Sequence, residues 1–172
     1  MQVYFDTEFT DMIGAVHDPA LISIGLVSAN GNEIYFELSD TWTKEICSDF
    51  VVEAVLPSLQ GGAYAMTEAE CAERLKAWIE GFNEKVSLYS DSPNYDWPWV
   101  SEMFDRYGWP ENLTRQCRHA CAFETDKERF RYNNAVADFW RTGKAAGASQ
   151  HHALWDARCI RFARCYSYRK GI

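Results

Sequence analysis

Asp6 and Glu8 stand two residues apart at the end of an apolar, β-rich opening, Gln2-Val3-Tyr4-Phe5. Residues i and i+2 of a strand point to the same face, so the two carboxylates would lie side by side. Like charges held that close are costly unless a cation joins them. Mg²⁺ and Mn²⁺ are the ions that such hard oxygen ligands suit. An Asp-x-Glu pair alone is common at exposed strand ends. Here the strand before it reads as buried, which favours a cation seat.

Two further groups could join that chemistry. Ser90-Asp91-Ser92-Pro93-Asn94-Tyr95-Asp96-Trp97 lies between a short strand and a helix. Either aspartate could be an ordinary cap, because the helix dipole favours a carboxylate at an N-terminus. His151-His152-Ala153-Leu154-Trp155-Asp156-Ala157-Arg158 places two histidines at the mouth of the last helix, with Asp156 one turn inside. A histidine there can take a proton from an attacking water near neutral pH. A loop histidine and a solvated helical Asp are the plain alternatives for either residue taken singly.

The elements that must position these groups are legible in outline. Residues 2–6, 20–28 and 33–38 read as three strands, and Asn30-Gly31 between the last two is a strong hairpin signal. Residues 48–56 suggest a helix stopped by Pro57. Thr67-Glu68-Ala69-Glu70 is a capping box, and Leu75, Trp78, Ile79 and Phe82 follow on one face of a helix. A strand over 86–90, helices over 95–107 and 126–141, a Gly/Ala-rich loop over 142–149 and a last helix over 152–168 complete the series. Ala157, Ile160, Ala163 and Tyr166 form the expected core stripe of that last helix. Segment 108–149 carries no chemical motif. The order fits an α/β fold with a mixed central sheet flanked by helices.

Bulk composition sets the limits. The 172 residues suit one compact domain, 1–172, and 47% hydrophobic content can fill a sizeable core. No apolar run reaches the roughly 18 residues that span a bilayer, and the N-terminus lacks a secretory pattern. Six scattered cysteines look like the reduced thiols of a cytoplasmic protein. The net charge of −8 argues against coating nucleic acid by long-range attraction, but not against gripping a few nucleotides. Cys117-x-His119-x-Cys121 has the wrong spacing for a zinc pair and no second pair nearby.

The order and spacing of these clusters resemble the DEDDh 3′→5′ exonuclease superfamily along essentially the whole chain. Within it the chain is similar to the RNase T-like exoribonuclease branch typified by mycobacterial RNase AS. The resemblance rests on Tyr4-Phe5-Asp6-Thr7-Glu8-Phe9, Leu21-Ile22-Ser23-Ile24-Gly25-Leu26-Val27, Tyr95-Asp96, and above all His151-His152-Ala153-Leu154-Trp155-Asp156-Ala157-Arg158. It implies an RNase H-like fold and two Mg²⁺ or Mn²⁺ ions held by Asp6, Glu8, Asp96 and Asp156. It makes His151, five residues before the last Asp, the general base, and puts His152 at a variable position. It places Thr7, Glu8, Phe9 and His151 against the substrate, with Phe9 as a base-stacking contact. Many family members carry His-Asn five and four residues before the middle Asp, where this chain has Asp91-Ser92. The implied reaction is two-metal hydrolysis of single-stranded RNA from its 3′ end to nucleoside 5′-monophosphates, by a homodimer in the cytoplasm.

Two other functions are compatible with the residues. The same fold could act on single-stranded DNA, since selection for the 2′-OH lies in loops that no motif marks. A non-catalytic nucleic-acid-binding module would show loss of a ligand or of the histidine, yet all five positions are filled. Tyr95 is expected in the core, and Trp97 could either pack there or hold a base. The late basic residues Arg115, Arg118, Arg129, Arg131, Arg141, Lys144, Arg158, Arg161, Arg164, Arg169 and Lys170 are expected mostly as solvated helix faces, some of them free to guide a phosphate backbone.

Overall fold

The computed structural model describes residues 1–12 and 18–168. Six strands form one sheet: β1 (Gln2–Phe9), β2 (Leu21–Ser28), β3 (Glu33–Leu38), β4 (Ala65–Met66), β5 (Val86–Ser90) and β6 (Leu113–His119), in the order β4-β3-β2-β1-β5-β6. The β1–β2 and β2–β3 pairs are antiparallel, whereas β1–β5, β5–β6 and β3–β4 are parallel. Among the described residues four α-helices flank the sheet: α1 (Glu68–Glu80), α2 (Pro93–Tyr107), α3 (Asp126–Gly143) and α4 (Ala153–Tyr168). Among the described residues no helix is long and apolar enough to cross a membrane.

The alternation of β1 sorts its side chains between the two faces. Val3 and Phe5 enter the main core with Leu75 and Ile79 of α1 and Val100, Met103 and Phe104 of α2. Tyr4 lies on the opposite face with Tyr89 and with Ile160 of α4. All eight residues of β2 are buried, as expected of a strand covered on both sides. The hairpin signal is realised: β2 turns into β3 through Asn30-Gly31, with Gly31 at φ 95°, a backbone region that favours glycine. The capping box is realised too, with Thr67 Oγ1 accepting from Glu70 N at 3.3 Å and Glu70 Oε2 accepting from Thr67 N at 3.0 Å.

Four details differ from the sequence expectations. The first is a seven-residue edge strand, β6, inside segment 108–149. Its residues are mostly polar and only Leu113 is buried, so no period-2 pattern announces it. The second lies in region 48–56, where a π-turn over Val51–Val55 leads into a 3-10 turn over Leu56–Ser58. Pro57 is accommodated there because the first turn of a helix leaves its N–H groups unbonded anyway. The third is Tyr166, 48% exposed rather than in the core, stacked on Phe162 at 6.2 Å along the outer side of α4. Ala157, Ile160 and Ala163 are buried as expected. The fourth is Tyr95, discussed with the site.

Candidate active site

Asp6 and Glu8 both project from β1 toward the start of α4, as the two-residue repeat requires. Asp156 meets them from the first turn of α4. Its carboxylate accepts from the His152 backbone N–H at 3.0 Å, so it caps its own helix while facing the strand. The close approach of α4 depends on Gly25, the register partner of Asp6 on β2. A Cβ on Gly25 would lie 2.4 Å from Leu154 N and 2.5 Å from Leu154 Cα. Only a residue without a side chain lets the helix settle there.

Asp96 arrives from the first turn of α2 and is 2% exposed. Thr7 Oγ1 donates to its Oδ1 at 2.7 Å, and the Ser90 hydroxyl donates to its Oδ2. Asp91, at the corner between β5 and α2, turns into the same cleft. The carboxylates form two sets that share one member: Asp6, Glu8 and Asp156, and Asp6, Asp91 and Asp96. Within each set the nearest oxygens lie within 4.8 Å of one another.

Such crowding shifts every group toward its protonated form. Burial, then the charges of Asp96, Asp156, Glu8 and Asp91, holds Asp6 well above the carboxylate range. Burial and then Asp156 and Asp96 push Glu8 up to about 8. Burial raises Asp156 to about 7 against the lowering effect of the His152 N–H. Asp96 rises to about 6, also through burial, and the Ser90 and Thr7 hydroxyls limit the rise. Burial lifts Asp91 as well. Among the described residues no Lys or Arg lines this cleft of about 600 Å³. Hard oxygen donors in two overlapping sets, with no cationic side chain to neutralise them, are groups that could hold a metal ion.

His151 lines the cleft and His152 does not. His151 is exposed, with backbone φ 59°, and its ring meets Phe50 edge-on at 4.9 Å. His152 is 4% exposed and stacks on Tyr35 at 4.5 Å, behind the site. Phe9 is half-buried, lines the cleft and leans on Trp99 at 5.7 Å. Tyr95 is not core: it is 43% exposed and also lines the cleft, because the first turn of α2 turns it outward as Asp96 turns in. Of the two readings open for Trp97, the structure shows packing: it lies against the core beside Trp109. The Thr7 hydroxyl is committed to Asp96, so its backbone is what remains to meet a ligand.

The basic residues gather elsewhere. Arg158 pairs with Glu33, Arg161 donates to the Ala29 carbonyl at 3.0 Å, and Arg141 pairs with Asp138 at 3.0 Å. Arg169 and Lys170 lie outside the described residues. His119 Nδ1 accepts from Cys121 N within its own loop, and the Cys117-x-His119-x-Cys121 run joins no metal-competent cluster among the described residues. No sequence signal marks the parts that Ser90 and Phe50 take in the site, whereas Gly25 stands inside an apolar run, where a glycine is itself a signal of close backbone approach.

No family model matches the chain, and no curated protein matches it in sequence. Solved structures do match. The zinc-ion-bound form of the E. coli exonuclease I–ssDNA complex superimposes with a TM-score of 0.56 at 16% identity, covering 98% of this chain and 41% of that one. E. coli exonuclease I in complex with a dA16 oligonucleotide gives 0.54 at 15% identity, covering 96% and 41%. The chain thus spans about two fifths of the length of the solved chains it matches. The fold is α/β and RNase H-like, as in these neighbours: a six-stranded mixed sheet flanked by helices.

Proposed function

We propose that this chain is a metal-dependent 3′→5′ exonuclease acting on single-stranded nucleic acid. RNA is the preferred substrate, in keeping with the RNase T-like exoribonuclease branch that its motifs resemble. The observation that carries the reading is the sharing of Asp6 between two carboxylate sets in a cleft of about 600 Å³. Asp6 would hold both divalent cations, Mg²⁺ or Mn²⁺, with Glu8 and Asp156 on one side and Asp96, with Asp91 beside it, on the other. Such cations lower the pKa of a water and neutralise the charge that builds on a phosphate under attack.

The chain's own groups do the rest. His151, exposed at the rim, accepts the proton of the attacking water at a ring nitrogen. Attack on the last phosphate breaks its bond to the 3′ oxygen of the preceding nucleotide, which leaves a nucleoside 5′-monophosphate. Phe9 stacks against the terminal base, with Trp99 behind it, a contact worth about 1–3 kcal/mol per base. The backbone of Thr7, with Glu8 and His151, borders the terminal nucleotide. All six cysteines are free, in keeping with a cytoplasmic enzyme, and the same resemblance makes it a homodimer.

Single-stranded DNA is the alternative substrate, and the structural neighbours solved with DNA oligonucleotides favour weighing it. Chromatography of digests of matched single-stranded RNA and DNA tests the proposal. Nucleoside 5′-monophosphates released faster from RNA are expected. Faster release from DNA would replace the substrate, and 3′-monophosphates or internal fragments would overturn the reaction itself.

A further inference from the structure

Behind the catalytic cleft lies a polar network with no part in cation binding. Glu37 on β3 is 4% exposed, yet both oxygens of its carboxylate are hydrogen-bonded. Oε1 accepts from Gln60 N at 2.6 Å and from Tyr35 Oη at 2.9 Å, and Oε2 accepts from Gly61 N at 2.8 Å. A buried carboxylate is costly unless its lone pairs are filled in this way. Its effect is to tie the loop after the 3-10 turn, residues 59–62, to the sheet. Register links the two sites: Glu37 pairs with Ser23, and Ser23 with Glu8, so Glu37 stands in the same row as a candidate cation ligand, two strands away.

The tied loop reaches the histidine pair. Gln60 Nε2 lies 3.0 Å from His152 Nε2 and, among the described residues, is the one side chain that hydrogen-bonds this ring, since Nδ1 is buried without a partner. Tyr35, itself bonded to Glu37, stacks on the other side of the ring. Ser58 Oγ lies 3.2 Å from the His151 carbonyl and 2.7 Å from that of Val55, and its single proton can serve either. His151 needs such support, because its φ of 59° is a conformation that residues other than glycine rarely adopt. Its neighbour's ring is clamped by Tyr35 and Gln60, and its neighbour's N–H is bound by Asp156.

We infer that Glu37 and Gln60 are positioning residues that hold His151 over the carboxylate cleft by fixing the loop 59–62 and the His152 ring. The inference rests on the reading of His151 as proton acceptor. Pre-organisation of this kind typically changes activity by about 10–100-fold when a supporting residue is lost.

The test compares Glu37→Gln and Gln60→Ala in the wild-type chain and in a His151→Ala chain, measuring kcat, KM, the pH profile and Mn²⁺ affinity. Gln60 is exposed, so its truncation leaves the fold in place even if the buried Glu37 change does not. The expected result is a kcat lower by roughly 10-fold or more for both variants, with KM and Mn²⁺ affinity within about threefold, and no further loss once His151 is gone. The limb of the pH profile that vanishes in His151→Ala persists in both variants at a lower plateau. Full kcat in Gln60→Ala, or equal losses with and without His151, would overturn the inference. If His151→Ala is itself fully active, the proton-acceptor reading falls instead, and a loss confined to His151→Ala removes only the positioning role.

Discussion

Asp6 and Gly25 are register partners on adjacent strands, and the bare backbone of Gly25 is what lets α4 carry Asp156 up to Asp6. The two residues solve one problem together, since the carboxylate needs a partner that only a close-packed helix can deliver. Gly25→Ala should therefore damage the site more than the fold. A Cβ 2.4 Å from Leu154 N forces the helix start to move, and overpacking of this kind costs about 1–3 kcal/mol. Displacement of Asp156 by about 1 Å should cost roughly 100-fold in turnover. Thermal melting and kcat together check this, and full activity in Gly25→Ala would show that the close approach is dispensable.

The crowded carboxylates predict how stability depends on pH without cations. Asp96, Asp156 and Glu8 titrate near 6, 7 and 8 in the folded chain, well above the ordinary 3.8 and 4.5 of unfolded carboxyls. The folded state thus binds protons that the unfolded chain releases. That stabilisation is fully present below about pH 4 and is lost as pH rises through 6 to 8. In EDTA the Tm should fall between pH 6 and 8.5, by on the order of 5 °C. Saturating Mg²⁺ should flatten the profile, because the cations replace the protons. A flat profile in EDTA would contradict the shifted titrations.

Asp91 and Asp96 should separate by substitution. Asp96 is gripped by Thr7 and Ser90, so Asp96→Ala, which leaves both buried hydroxyls without their acceptor, should lower both Mn²⁺ affinity and Tm. Asp91→Asn should lower Mn²⁺ affinity, by about 10-fold, with little change in Tm, since its carboxylate accepts no buried hydroxyl pair. Titration calorimetry with Mn²⁺ reads both. Unchanged affinity in Asp91→Asn would remove it from the cation site.

The two histidines should part in the same way. His151→Ala should reduce kcat by about 10²- to 10⁴-fold while Mn²⁺ affinity is kept. His152→Ala should lower Tm through loss of the Tyr35 stack. Phe9→Ala should raise KM by roughly 10-fold, the value of one stacked base. A greater kcat loss for His152→Ala than for His151→Ala would reverse the two assignments.

Much of this was legible in the chain because it is local. The Asp6-x-Glu8 pair, the Thr67–Glu70 box, the Asn30-Gly31 turn and the His151–Asp156 spacing are all short-range patterns that their residues enforce. What stayed hidden is set by distant packing. The edge strand β6 is polar because it borders solvent, so it shows no alternation. Tyr95 read as core because it is aromatic, but the rotation of α2 that buries Asp96 expels it. Ser90, Glu37 and Gln60 acquire their roles only when strands far apart in sequence come into register. Gly25 stood in plain view within the apolar run Leu21–Ser28, and its meaning appears only with α4 against it.

The measurement closest to the centre is digestion of 5′-labelled single-stranded RNA and DNA with Mg²⁺ or Mn²⁺, with EDTA, and with an Asp6→Ala protein alongside. A ladder shortening from the 3′ end, abolished by EDTA and by loss of Asp6, is the predicted result. Intact strands after incubation with the folded wild-type protein and either cation would contradict it.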